Sequence, residues 1–123
     1  MYYKRLIDNY LNDWRKSAPH KPLLLRGARQ VGKSTAVRHL ATMFDNYVEI
    51  NFEKMSSYKV LFEGDLDVKR IIAQMSAMYG EKIIPGKTLL FLDEIQDCPR
   101  ARLALKSFKE DGRFEVIASG SYI

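Results

Sequence analysis

A single cysteine, Cys98, and two histidines, His20 and His39, stand in a chain of 123 residues. One thiol cannot build a disulfide framework, and no second ligand sits at metal spacing from either histidine, so a Cys/His zinc site is excluded too. Cys98 reads as an inert thiol and the histidines as linker or surface residues. Apolar runs are short, and none approaches the roughly 18 to 20 consecutive residues of a membrane-spanning helix. The opening stretch, Met1-Tyr2-Tyr3-Lys4-Arg5-Leu6-Ile7-Asp8-Asn9, lacks the apolar centre of a secretory signal. No internal repeat, low-complexity segment or block of five like charges occurs. With 46% apolar and 28% charged residues, the expectation is one soluble, cytoplasmic domain with a real core and no membrane partner.

What the chain does have is an uneven charge. Residues 1–40 carry nine basic side chains against two acidic ones, while the other 83 residues carry 11 basic and 13 acidic. A basic end attracts polyanions, either nucleotide phosphates or nucleic acid.

Hydrophobic spacing gives the elements. Leu6, Ile7, Tyr10, Leu11 and Trp14 share one face of a helix. Leu23-Leu24-Leu25 follows Pro19 and Pro22 and reads as a buried strand, and Lys33 to about Phe44 as a helix. Residues 47–52 alternate with period two and are β-branched and aromatic, so they predict a second strand. A helix over Leu66–Tyr79, a fully apolar strand Leu89–Leu92, a helix Ala101–Lys109 and a strand Phe114–Ala118 complete the series. Strands alternating with helices predict an α/β fold with a parallel sheet. Because Ser121-Tyr122-Ile123 directly follow the last strand, the chain is expected to be the N-terminal part of a longer protein.

Gly27-Ala28-Arg29-Gln30-Val31-Gly32-Lys33-Ser34 fits G-x-x-x-x-G-K-[ST] in full, after a predicted strand and at the start of a predicted helix. At ordinary residue frequencies, a chance match in a chain this long has odds of roughly one in 200. Glycines let the backbone turn tightly and approach phosphate oxygens. The loop amides and the positive helix end then face the anion. Lys33 is expected to reach the β- and γ-phosphates rather than serve the core, and Ser34 to place its hydroxyl on Mg²⁺. Gly27 through Ser34 and the adjoining Thr35 are the candidate nucleotide-binding set.

Thr88-Leu89-Leu90-Phe91-Leu92-Asp93-Glu94 is an apolar strand ending in two carboxylates, 60 residues after Lys33. Asp93 can hold Mg²⁺, and Glu94 can act as base or orienting group for a nucleophilic water. In an open parallel sheet, ligands bind beyond the carboxyl ends of the strands, so Gly27, Asp93 and Ser121 can share one crevice. Ser119, Ser121 and Gln96 are further polar groups within reach of it, with turn or cap roles equally open to them.

Arg26 to Ser34, then Leu92-Asp93-Glu94-Ile95-Gln96, then Ala118-Ser119-Gly120-Ser121, resemble the AAA-type P-loop ATPases of bacteria and archaea. The chain is most similar to the group whose ATPase domain precedes a C-terminal domain of unknown function. The resemblance implies a three-layer P-loop core, helices on both faces of the sheet, preceded by an amphipathic helix. It implies ATP and Mg²⁺ as ligands, Lys33 and Ser34 on phosphate and metal, Asp93 on the metal, Glu94 as catalytic glutamate, and Ser121 or Ser119 as a sensor. It further implies turnover coupled to movement of C-terminal domains, a homo-oligomer, and a nucleic-acid or protein client. A small-molecule kinase and a nucleic-acid-stimulated ATPase are the alternatives. A GTPase and an ABC protein are disfavoured, because neither the Asn-Lys-x-Asp string nor the ABC signature occurs.

Overall fold

The computed structural model describes residues 2–17, 21–27 and 32–120, with side chains from Leu6 onward. Four strands, β1 (Leu23–Arg26), β2 (Asn46–Asn51), β3 (Thr88–Asp93) and β4 (Glu115–Gly120), form one sheet in the order β1-β4-β3-β2. Every pairing is parallel. Helices α1 (Tyr2–Lys16), α2 (Lys33–Ala41), α3 (Val68–Tyr79) and α4 (Pro99–Asp111) cover its two faces.

Alternation along the strands divides the core into two layers. Leu23, Leu89, Phe91 and Ile117 pack with Leu11 of α1 and with Ala36, Val37 and Leu40 of α2. Val48, Ile50, Leu90, Leu92, Val116 and Ala118 point the other way, against α3 and α4. Strand β3 lies between β2 and β4 and is buried at all six positions, which explains why Leu89–Leu92 has no polar residue. Truncating one of these leucines to alanine costs about 2–5 kcal/mol. The three-layer α/β architecture is the one the sequence predicts.

The chain crosses from β1 to β2 through α2 on one face and returns to β3 and β4 through α3 and α4 on the other. Opposite directions on opposite faces give all three crossovers one hand, as twisted parallel sheets require. Consequently α2, which follows β1, lies on one face and α4, which follows β3, on the other. In an open parallel sheet, ligands bind beyond the carboxyl ends of the strands, the end at which β1 and β3 finish.

Most boundaries shift from expectation by a residue or two: β2 runs one residue earlier, α3 begins at Val68, and β3 and α4 extend at both ends. Helix α2 ends at Ala41 rather than Phe44, because Thr42, Met43 and Phe44 donate to carbonyls three residues back and tighten the last turn. Strand β4 continues through Ser119 and Gly120, which pair in register with Leu25 and Arg26. A 3₁₀ segment, Ser56–Phe62, had no periodic signal. It is braced from outside: Arg70 donates to the carbonyls of Leu61, Glu63 and Asp65, and Arg100 to those of Phe62 and Gly64. Among the described residues, no helix is long and apolar enough to cross a membrane.

Candidate functional site

The phosphate-loop sequence begins where β1 ends. Gly27 leaves the strand with φ 136°, and Gly32 enters α2 with φ 76° and ψ 25°. A Cβ at either glycine would meet nothing within 4 Å, so within the protein the requirement for glycine is one of backbone angle, not of space. Ala28, Arg29, Gln30 and Val31 lie outside the described residues, as does Ser121.

Helix α2 starts with no acidic residue in its first turn and no side-chain cap. Its first amides and its positive end therefore face the loop, an arrangement suited to an anion. Lys33 is the first residue of α2 and only 6% exposed. Its ammonium donates to the Gly27 carbonyl at 2.8 Å and to the Gly120 carbonyl at 3.0 Å. Lys33 thus ties the exits of β1 and β4 together, a structural duty beyond the phosphate role its motif predicts. Ser34 is half-buried, and Thr35 faces solvent on the same turn.

Strand β3 brings its carboxylate to this turn of α2. The Ser34 hydroxyl donates to Asp93 Oδ2 at 3.0 Å, across 59 residues of sequence. The other oxygen, Oδ1, accepts the Glu94 backbone N–H at 2.9 Å. Asp93 is 6% exposed, and burial pushes its carboxyl above the ordinary value, with the two donated hydrogen bonds working against that rise.

Glu94 adopts φ 53° and ψ 48°, the one non-glycine residue with positive φ among those described. A left-handed side-chain-bearing residue costs about 1–2 kcal/mol. The kink swings the chain out of β3 into a 3₁₀ turn, Ile95–Asp97, anchored by buried Ile95 and Cys98. Gln96 on that turn donates from Nε2 to Glu94 Oε1 at 2.8 Å. Gln96 is thereby joined to the second carboxylate, while Ser119 is buried inside β4. Burial also raises the Cys98 thiol, consistent with an inert role.

Size alone does not locate this site. A hollow of about 490 Å³ lies at the opposite, amino end of the sheet, lined by Arg15, Asp45, Lys87 and Glu115 among others. A smaller one, about 210 Å³, opens beside Lys33 and is lined by Leu6, Ile7, Tyr10, Leu25 and Arg26. The smaller hollow adjoins the converging polar groups. It was not legible in the sequence, since the spacing of Leu6, Ile7 and Tyr10 predicts only a packed face.

Comparison with known proteins agrees with this geometry. A family model described as an AAA domain matches residues 19–123. The chain belongs to the AAA domain family. A curated relative, the replication factor C large subunit of Methanosphaera stadtmanae, is 32% identical to the AAA domain described here over 94 residues, 75% of this chain and 16% of the relative. The chain therefore spans about a sixth of that relative's length.

The donor set also fits the ligands that an AAA domain implies. Asp93 and Ser34 present hard oxygen atoms side by side, the chemistry Mg²⁺ selects. Among the described residues no three His, Cys, Asp or Glu side chains gather into a metal cluster. One carboxylate and one hydroxyl match a Mg²⁺ that takes its remaining ligands from water and phosphate.

Proposed function

We propose that this AAA domain binds Mg·ATP in the crevice between the exits of β1 and β3 and hydrolyses it. In this reading, turnover drives movement in domains beyond the chain. The observation that carries the reading is the Ser34–Asp93 hydrogen bond, which joins the end of the phosphate-loop motif to the strand bearing both candidate carboxylates.

Residues 27–35, Ala28 through Val31 included, form the phosphate cradle in this reading. The Lys33 ammonium and the first amides of α2 donate to the phosphates. Ser34 and Asp93 hold the metal, which when bound neutralises charge on the phosphate oxygens. Glu94 takes the proton from the attacking water. Ser121, or Ser119 in its place, senses the γ-phosphate. The apolar hollow beside Lys33 receives the base, with Leu6, Ile7 and Tyr10 of α1 as one wall. ATP is preferred over GTP, on family membership rather than on a base-reading group. The relative's name describes one subunit of an assembly, which supports oligomer formation here and leaves a protein or nucleic-acid client to the same assembly.

Calorimetric titration with Mg·ATP of the parent and Lys33→Ala tests the reading. A hydrogen bond to a charged group is worth about 1.5–3 kcal/mol, so affinity falls roughly 10- to 150-fold. The variant also melts earlier, because two carbonyls lose their ammonium donor, so the titration is run where both proteins are folded. Equal affinities would sink the reading. Competition of ATP and GTP against a fluorescent analogue checks the base, and a tenfold preference for GTP would remove the ATP assignment.

A further inference from the structure

Glu94 and Gln96 are two residues apart, a spacing that in a strand points both side chains to one face and in a helix separates them. Here neither geometry applies. The left-handed backbone at Glu94 turns the chain sharply, and the 3₁₀ turn that follows carries Gln96 back over it. The turn is closed by Asp97 N–H to the Glu94 carbonyl at 3.0 Å and Cys98 N–H to the Ile95 carbonyl at 2.9 Å. Ile95 is fully buried in the α3/α4 layer and Cys98 nearly so, which fixes the turn from below. The backbone that carries the Gln96 amide is therefore fixed by the core, while the Glu94 carboxylate to which the amide donates at 2.8 Å is half-buried just beyond the carboxyl end of β3. A side chain with Glu94's rotatable bonds loses conformers when one oxygen is fixed this way. Reorientation is then not needed at the moment of reaction.

We propose that Gln96 is a positioning residue: its amide sets the direction of the Glu94 carboxylate for attack by water. The proposal rests on the reading of Glu94 as base. It accounts for the strained backbone here, since a right-handed Glu94 would separate the two side chains. Backbone strain of this kind persists where the surroundings over-determine it, and here Ile95, Cys98 and the Asp93 carboxylate all do so.

The test compares the parent, Gln96→Met, Gln96→Ala, Glu94→Gln and the Glu94→Gln/Gln96→Met double variant in single-turnover hydrolysis with enzyme in excess. Gln96→Met keeps length and apolar stem and removes the amide, the donor to Glu94 with it. It is expected to slow hydrolysis about 10-fold or more, the scale of a small misplacement of a reacting group. Mg·ATP affinity by calorimetry and the melting midpoint stay at parental values, and Gln96→Ala behaves alike. In the Glu94→Gln background, Gln96→Met adds no further loss. Independently of turnover, the side-chain amide signals of Gln96 in the nucleotide-free protein shift on Glu94→Ala. Parental or faster hydrolysis in Gln96→Met, with Glu94→Gln slow, overturns the proposal and leaves Glu94 as base. So does a slowing matched by lost affinity or an earlier melt, full additivity in the double variant, or unmoved amide signals. Parental hydrolysis in Glu94→Gln removes the base itself, and the proposal with it.

Discussion

The two ends of the sheet are built from the same four strands and differ in almost every other respect. At the amino end, Asp45, Lys87 and Glu115 border a hollow more than twice the size of the one beside Lys33. Charges of both signs line it. At the carboxyl end, Ser34, Asp93, Glu94 and Gln96 are linked by hydrogen bonds that run from α2 through β3 into the 3₁₀ turn, and the neighbouring Lys33 holds the Gly27 and Gly120 carbonyls. That end also holds the left-handed Glu94, the α2 amino terminus and a buried carboxylate. Strain, burial of charge and an uncapped helix all cost stability, and they coincide at one place. A fold tolerates that clustering where function requires it. The larger hollow carries none of these costs.

The largest expected effect separates the ends most sharply. Glu94→Gln keeps side-chain size and hydrogen bonding but cannot take a proton from water. Loss of a positioned base costs about 10²- to 10⁴-fold in rate. Single-turnover hydrolysis should therefore nearly stop, with Mg·ATP still bound in calorimetry. The matching change at the other end, Lys87→Gln, should leave both quantities at parental values. Unchanged hydrolysis in Glu94→Gln would make that residue a turn residue, and a loss in Lys87→Gln would mean the amino end participates.

Much of the carboxyl end was legible because its residue types are rare in those positions. Two glycines five residues apart before Lys33-Ser34, and a strand of pure apolar residues before Asp93-Glu94, carry both element type and chemistry. The sheet was legible for the same reason: Leu89–Leu92 admits no polar residue because both its faces are covered. What escaped reading depends on contacts that leave no period. Arg70 and Arg100 organise the Ser56–Phe62 segment by reaching main-chain carbonyls, the latter from 38 residues away in the case of Phe62. A glutamate does not signal φ 53°, so the Glu94–Gln96 pair could not be foreseen from its spacing. Lys33's grip on the Gly27 and Gly120 carbonyls needs the β1–β4 pairing, which spacing does not specify.

Asp93 offers a smaller test with two opposite readouts. Burial raises its carboxyl above the ordinary value, so the folded protein holds that proton more tightly than the unfolded chain. The group's contribution is then fully present below the ordinary carboxylate value and is lost as pH rises through the raised one. At neutral pH the ionised carboxylate is a net cost. Asp93→Asn should accordingly melt higher than the parent without nucleotide. The gap should be wider at pH 8 than at pH 4.5. The same variant should lose the tightening of ATP binding by magnesium. A lower midpoint at pH 8 would show that the donated hydrogen bonds outweigh burial.

The smallest effect lies beside the site rather than in it. Arg38 of α2 forms a two-pronged pair with Glu49 of β2, Nε to Oε1 at 2.9 Å and Nη2 to Oε2 at 2.7 Å. The Tyr47 hydroxyl donates to the same Oε1 at 2.6 Å. Burial, then that bond, pushes the phenol well above its ordinary value, so it stays a neutral donor at working pH. Arg38, chiefly through its hydrogen bonds, holds the Glu49 carboxyl below the ordinary carboxylate range. The Arg38 side chain is 55% exposed and that of Glu49 19%, so water and salt screen the pair. Its worth is discounted to about 0.5–1 kcal/mol. A depressed carboxyl contributes above its unfolded value and loses that contribution as pH falls through the folded one. Arg38→Gln should thus lower stability by about 0.5–1 kcal/mol at pH 7 in urea titration, and by progressively less as the pH falls below the carboxylate range. Half-molar salt should shrink the difference as well, and Mg·ATP affinity should not move, because the pair clamps α2 to the outer strand without touching Lys33 or Ser34. An undiminished loss at low pH would assign it to packing of the arginine stem instead of to the charge pair.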